Sequence, residues 1–139
     1  MKLSRTVAYA VQAMLQLASS NSATPVPCSQ LAGEGHMPER FLLQILRTLV
    51  THGILHSTRG VEGGYSLARS PQEISLLEVI EAIDGPIAAA LPTTEGAARA
   101  AYEVKLREAL EQVASNQRRQ LQAIKLSDLL EGSSSARMP

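Results

Sequence analysis

The chain has 139 residues, enough for one compact domain with an appended element and too few for two ordinary domains. Hydrophobic residues make up 45% of it, with no Trp and one Phe, which excludes wholesale disorder and favours helices packed through aliphatic side chains. Net charge is zero but uneven: residues 1–70 carry six Lys and Arg against three acids, and the remaining 69 carry seven against ten, the asymmetry expected when one end meets phosphate.

No apolar run reaches the roughly 18 residues a membrane span needs, so no membrane partner is expected. The segment opening at Met1 is amphipathic and is interrupted by Gln12 and Gln16, which does not read as a secretory signal. A single cysteine, Cys28, cannot form an intramolecular disulfide and fits a reducing cytoplasm.

From Leu3 to Leu17, apolar residues recur at helical spacing: Leu3, Val7, Ala10, Val11, Met14 and Leu17. Ser19 to Ser22, with Pro25 and Pro27, closes this helix in a polar loop. A short helix is predicted over Cys28–Ala32, ended by Gly33 and Gly35. A third begins at Pro38, whose missing N–H is not needed in a first turn, and runs to a stop at Gly53. Ile54–Thr58 and Tyr65–Ala68 then flank Arg59 to Gly64, and two short strands around glycines read as a hairpin. Helix, short helix, helix and hairpin is the order of a winged helix-turn-helix.

Ser75-Leu76-Leu77-Glu78 has capping-box form and opens a helix ended by Asp84-Gly85-Pro86. A loose stretch from Pro86 to about Thr93 follows. From Thr94 to Ala123 a helical pattern carries an apolar stripe at Tyr102, Leu106, Leu110, Val113, Gln117, Leu121 and Ile124. A helix this long has more apolar face than a chain this small can cover, which points to pairing with a second copy of itself. Gly132 to Pro139 reads as a frayed tail. The expected fold class is mainly α, with a two-stranded wing and a long C-terminal dimerisation helix. Its expected units are residues 1–86 and 94–131.

Several of these stretches, taken together, resemble the Rrf-two family of winged-helix transcription regulators. They are Pro38-Glu39-Arg40-Phe41-Leu42-Leu43-Gln44-Ile45-Leu46, Gly53-Ile54-Leu55, Ser57-Thr58-Arg59-Gly60 and Gly63-Gly64-Tyr65-Ser66-Leu67-Ala68-Arg69. The opening Met1-Lys2-Leu3-Ser4 with Tyr9-Ala10-Val11, and Ile74 to Ile80 with Asp84-Gly85-Pro86, fit the same pattern. The likeness is close over residues 1 to about 86 and extends to the long helix only in pattern. It implies a homodimer that binds a duplex DNA operator, most simply as a repressor. It leaves room for an interaction module that docks a partner enzyme with weak or no operator binding, and for a small-molecule-binding helical protein. The sequence names no small-molecule or protein effector.

In a helix-turn-helix the second helix enters the major groove, and its N-terminal residues reach base edges. Those residues here are Met37, Pro38, Glu39, Arg40, Leu43 and Gln44. Arg40 can read guanine or hold a phosphate, Gln44 can pair with adenine, and Glu39 can accept from cytosine or orient Arg40. A merely solvated helix face is the plain alternative. Phe41, Leu42, Ile45 and Leu49 read as core. The resemblance places Arg59 in the minor groove, where a narrow A·T-rich groove concentrates negative potential on a guanidinium. Gly60, Gly63 and Gly64 permit close approach to the sugar-phosphate, or simply make a tight turn. Ser4, Arg5 and Thr6 can hold phosphates at a helix N-terminus.

Cluster-binding members of the family place three cysteines in the loop before the long helix. Residues 86–94 contain none, so the sequence implies no cysteine-ligated cluster and no other cofactor. Cys28 reads as a small buried or capping residue. His36, His52 and His56 are too scattered for a metal site and read as surface residues near DNA. No nucleophile elbow, phosphate loop or acid–base pair supports catalysis.

Overall fold

The computed structural model describes residues 1–20, 24–91 and 99–137. Its elements are α1 (Arg5–Ser19), α2 (Cys28–Gly35), α3 (Glu39–Thr51), β1 (Leu55–Thr58), β2 (Gly64–Leu67), α4 (Leu76–Asp84), α5 (Arg99–Ala123) and α6 (Leu126–Arg137). This is a mainly helical fold with one two-stranded antiparallel sheet, as the sequence implies. Residues 92–98, including the expected start of the long helix at Thr94, lie outside the described residues, as do Asn21 and Ser22 of the first loop.

The core is where the helical spacing puts it. Val7, Ala10, Met14 and Leu17 of α1 meet Leu31 and Ala32 of α2 and Leu42, Ile45, Leu46 and Leu49 of α3, all buried. Each of these Val, Leu, Ile and Met side chains contributes about 1.5–3 kcal/mol on burial, so α3 is pinned by the face opposite its solvated one. Leu3, by contrast, precedes the helix and is 48% exposed, so the stripe begins at Val7.

Three further expectations are corrected. Gly33 does not end the second helix, which continues to Gly35 and is closed by His36 in the left-handed conformation (φ 54°). A Cβ at Gly35 would meet the side-chain ends of Gln12, Gln16 and Met37, which would have to shift where α2 approaches α1. The Gln12 amide donates to the Gly35 carbonyl at 2.8 Å across that approach. Met37, expected at a base edge, is buried beneath the turn, where its N–H closes on the Ala32 carbonyl at 2.9 Å. The tail also differs from expectation, because α6 runs to Arg137, and its first residue, Leu126, is fully buried in the core.

The wing follows from strand pairing. Leu55 faces Leu67, His56 faces Ser66, Ser57 faces Tyr65 and Thr58 faces Gly64. Val26, in the loop before α2, adds a bridge to the far side of β2 through reciprocal hydrogen bonds with Tyr65 of 2.9 and 2.8 Å. Gly64 has φ 153°, and a Cβ there would collide with the Val26–Pro27 backbone. At its exit the wing is tied to α4 by an Arg69–Glu78 ion pair. Glu78 also completes the capping box of Ser75.

Candidate nucleic-acid interface

The exposed face of α3 carries Arg40, Gln44, Arg47 and Thr51, spaced so that they form one stripe along the helix. Pro38 is the N-cap, Glu39 sits in the first turn, and both are exposed, whereas Leu43 is half-buried. Leu42, Ile45, Leu46 and Leu49 fill the opposite side. Phe41 does not join them. It is 40% exposed and meets Tyr9 edge-to-face, with ring centroids 5.7 Å apart. The core on that side is already closed by α1, so the ring covers the α1–α3 seam instead of entering it.

Apart from Arg119, which donates to the Asn116 amide oxygen, the arginines with described side chains divide into two groups. Arg69, Arg107 and Arg118 are paired with Glu78, Glu103 and Glu81. Arg5, Arg40, Arg47 and Arg59 are exposed and have no ion pair among the described residues. Glu39 does not pair with Arg40, and Glu62 does not pair with Arg59. Leaving four guanidiniums free on the first three helices and the wing preserves their charge for an anionic partner.

Arg59 directly follows β1, and the wing loop then turns back through a Gly63 N–H to Gly60 carbonyl bond of 3.0 Å. Gly60 has φ 115° and open space around its Cα. Gly63 is different, since a Cβ there would strike the Thr58 carbonyl. Gly63 and Gly64 are therefore required by the wing's own packing, and only Gly60 is left to serve close approach. Arg47 and Thr51 of α3 and Ser57 and Arg59 of the wing line one cleft of about 650 Å³. Arg47, Ser57 and Thr58 were not among the residues singled out from sequence. For Arg47 the signal was present, seven residues beyond Arg40 and hence on the same helix face.

At the start of α1, Ser4 is the N-cap, its hydroxyl accepting from the Val7 N–H at 3.1 Å and donating to the Asp84 carboxylate. Arg5 beside it is exposed and Thr6 is half-buried. In the long helix, Tyr102, Leu106 and Val113 are 58%, 42% and 59% exposed, and Leu110 is half-buried. Leu121 departs from that stripe: it is buried by Val7, Leu77 and Ile80 of its own chain and is not available to a partner. Arg118 reinforces this docking of α5 by pairing with Glu81 of α4.

The sequence matches the model of the Rrf2 family, described as an iron-dependent transcriptional regulator, over residues 3–132. The chain belongs to the Rrf2 family of transcriptional regulators. It is 30% identical to the HTH-type transcriptional regulator CymR of Bacillus subtilis, over 81% of this chain and 83% of that one. It is 47% identical over 88 residues to a Mycobacterium tuberculosis protein provisionally named an HTH-type transcriptional regulator, covering 63% of this chain. The match spans about half, 55%, of the length of that relative. Among solved structures, CymR of B. subtilis superimposes with a TM-score of 0.69 at 26% identity, over 94% of this chain and 97% of that one. T. potens IscR gives 0.68 at 29% identity, over 100% and 93%. The winged-helix reading of the fold rests on these together with the observed element order.

The family's description implies iron, and the residues do not fit a cysteine-ligated cluster. Cys28, the sole cysteine of the sequence, opens α2, where its thiol points to the Glu39 carbonyl at 3.7 Å. Burial, reinforced by the Glu39 charge, pushes that thiol above its ordinary pKa, away from the thiolate a metal requires. Among the described residues no three His, Cys, Asp or Glu side chains gather as a ligand set. His36, His52 and His56 are all exposed and separate. No described helix is long and apolar enough to cross a membrane.

Proposed function

We propose that this protein binds a specific duplex DNA operator as a homodimer and represses transcription by occluding a promoter, without an iron–sulfur cluster. The observation that carries the reading is the meeting of α3 and the wing in one cleft, lined by a free arginine from each element. In this reading α3 enters the major groove, with Arg40 and Gln44 on base edges and Pro38 and Glu39 framing the approach. Arg59 reaches the adjacent minor groove, with Gly60 allowing the close approach and Gly63 and Gly64 shaping the turn. Ser4 and Arg5 face the flanking phosphates. The exposed residues Tyr102, Leu106 and Val113, with Leu110, supply the seam to the second copy. Residues 1–86 act as the reading unit and 94–131 as the pairing unit.

The deciding experiment measures duplex affinity across a salt series. A steep fall of log K with log salt, together with preference for one site over random duplex, is expected. A shallow slope without site preference would instead indicate a protein-docking module. Iron and sulfide analysis of protein purified under anaerobic conditions is expected to give neither in stoichiometric amount, and a stoichiometric content would overturn the cluster-free reading.

A further inference from the structure

The cleft between α3 and the wing has a composition that base reading does not explain. Its polar lining includes the Arg47 and Arg59 guanidiniums, the Ser57 and Thr58 hydroxyls and the half-buried Cys28, and no Asp or Glu lines it. Neither guanidinium is in an ion pair, and neither the Ser57 nor the Thr58 hydroxyl has a hydrogen-bond partner among the described residues. Thr51, also in the lining, is excluded as a donor because its one hydroxyl proton is given to the Arg47 carbonyl at 3.0 Å. The Cys28 thiol, held above its ordinary pKa, stays neutral and adds no negative charge. The opposing fields are the C-terminus of α3, a partial charge of about −0.5, and the Glu39 carboxylate, which lies outside the lining but acts on Cys28, against two full positive charges within it. The cleft is therefore a concentrated cationic site whose free hydroxyl donors include Ser57 and Thr58, with Tyr65 also in the lining, and at about 650 Å³ it admits a sugar-phosphate unit.

We infer that this cleft grips a backbone phosphodiester of the bound duplex, at the strand that separates the major groove under α3 from the minor groove under the wing. The inference rests on the DNA-binding reading, and it adds Arg47, Ser57 and Thr58 to the residues that hold DNA. Arg47 lies one turn beyond Gln44 on the same face, so a helix seated on base edges carries it outward toward the groove wall. There it meets phosphate, not base. Its function is to fix register, linking the helix that reads one groove to the arginine that enters the next. A guanidinium offers two parallel donors to a phosphate, which a lysine at the same place cannot.

The test compares wild type, Arg47→Ala and Arg47→Lys on operator and on random duplex across a salt series, with thermal melts of each free protein. Arg47→Ala is expected to weaken both duplexes alike, to leave the melt unchanged and to lower the salt slope by about one unit per bound protomer. Arg47→Lys is expected to keep the slope, because the charge is kept, while losing part of the affinity. A slope for Arg47→Ala equal to that of wild type, in a wild type that does bind duplex steeply, overturns this inference alone. A wild type without salt-dependent duplex binding overturns the DNA-binding reading and this inference with it. Inorganic phosphate provides the last arm. If it raises the melt of wild type but not of Arg47→Ala in the absence of DNA, while Arg47→Ala keeps the wild-type salt slope on duplex, the cleft is a site for a free anion and the phosphodiester assignment fails.

Discussion

The Ser4 hydroxyl lies 3.1 and 3.3 Å from the two carboxylate oxygens of Asp84, tying the N-terminus of α1 to the C-terminus of α4. The same oxygen accepts from the Val7 N–H, so one hydroxyl caps a helix and anchors a neighbouring carboxylate. That carboxylate sits where the α1 amides favour an anion, which is also where a DNA phosphate is proposed to approach. Asp84 and phosphate therefore compete. Asp84→Asn is expected to raise duplex affinity by about two- to five-fold at low salt, with the gain fading as ionic strength rises. Unchanged affinity would mean that Ser4 and Arg5 do not face DNA. Ser4→Ala is expected to cost about 1 kcal/mol in chemical denaturation through the lost cap.

Glu78 gives the fold a defined sensitivity to acid. Burial alone would raise its pKa, but the Ser75 N–H, the Arg69 guanidinium and the Ser75 hydroxyl together hold it below the ordinary carboxylate value. A carboxyl lowered in the folded chain stabilises it above the unfolded value, and that stabilisation is lost as pH falls through the folded value. Both side chains are over one-third exposed, so the pair and cap together contribute about 1 kcal/mol. Glu78→Gln is expected to lose most of this in denaturation at neutral pH. In acid, below the depressed value, variant and wild type should denature alike.

Much of this architecture is legible in the sequence, for a physical reason. The apolar spacing of α3, the Ser75–Glu78 capping box and the glycine-flanked hairpin are local signals, each set by residues a few positions apart. What escaped is long-range. Nothing near Phe41 says that α1 has already closed the core beside it, so an apolar residue at helical spacing read as buried. Leu121 matched the stripe of Leu106 and Val113, yet the turn between α5 and α6 docks on the Ile74–Leu76 segment through hydrogen bonds of 2.8 and 3.0 Å. That docking turns Leu121 inward. Gly33 reads locally as a stop, yet α2 runs on to Gly35, whose carbonyl accepts from Gln12, twenty-three positions away. The cleft at Arg47 needed the wing folded back against α3 before its charge could be seen.

The proposed pairing face of α5 can be tested without disturbing the core. Leu106 and Val113 are exposed in the single chain, so charging them should leave its folding intact. Leu106→Glu with Val113→Glu is expected to shift solution mass from dimer to monomer, costing several kcal/mol of association through charges placed in an apolar seam. A variant that stays dimeric would move the interface off this stripe. Leu121→Glu makes the contrast, since it should unfold the protein outright instead of dissociating it.

Arg59 and Gln44 separate the two proposed kinds of DNA contact most cleanly. Arg59 is exposed at the end of β1, and its one nearby candidate partner, Glu62, does not pair with it. Removing its guanidinium should therefore leave the thermal melt unchanged while weakening operator binding by about 1–3 kcal/mol, the worth of one strong groove contact. Gln44 has no side-chain hydrogen bond among the described residues, and its backbone carbonyl is held by the Thr48 hydroxyl at 3.0 Å. Gln44→Ala should accordingly keep the helix and the non-specific affinity, and relax preference at one base pair. Titrating a bound operator and its single-base variants with both mutants resolves the two patterns. If Arg59→Ala binds as tightly as wild type, the wing does not enter a groove, and α3 alone would have to carry recognition with the four residues of its exposed stripe.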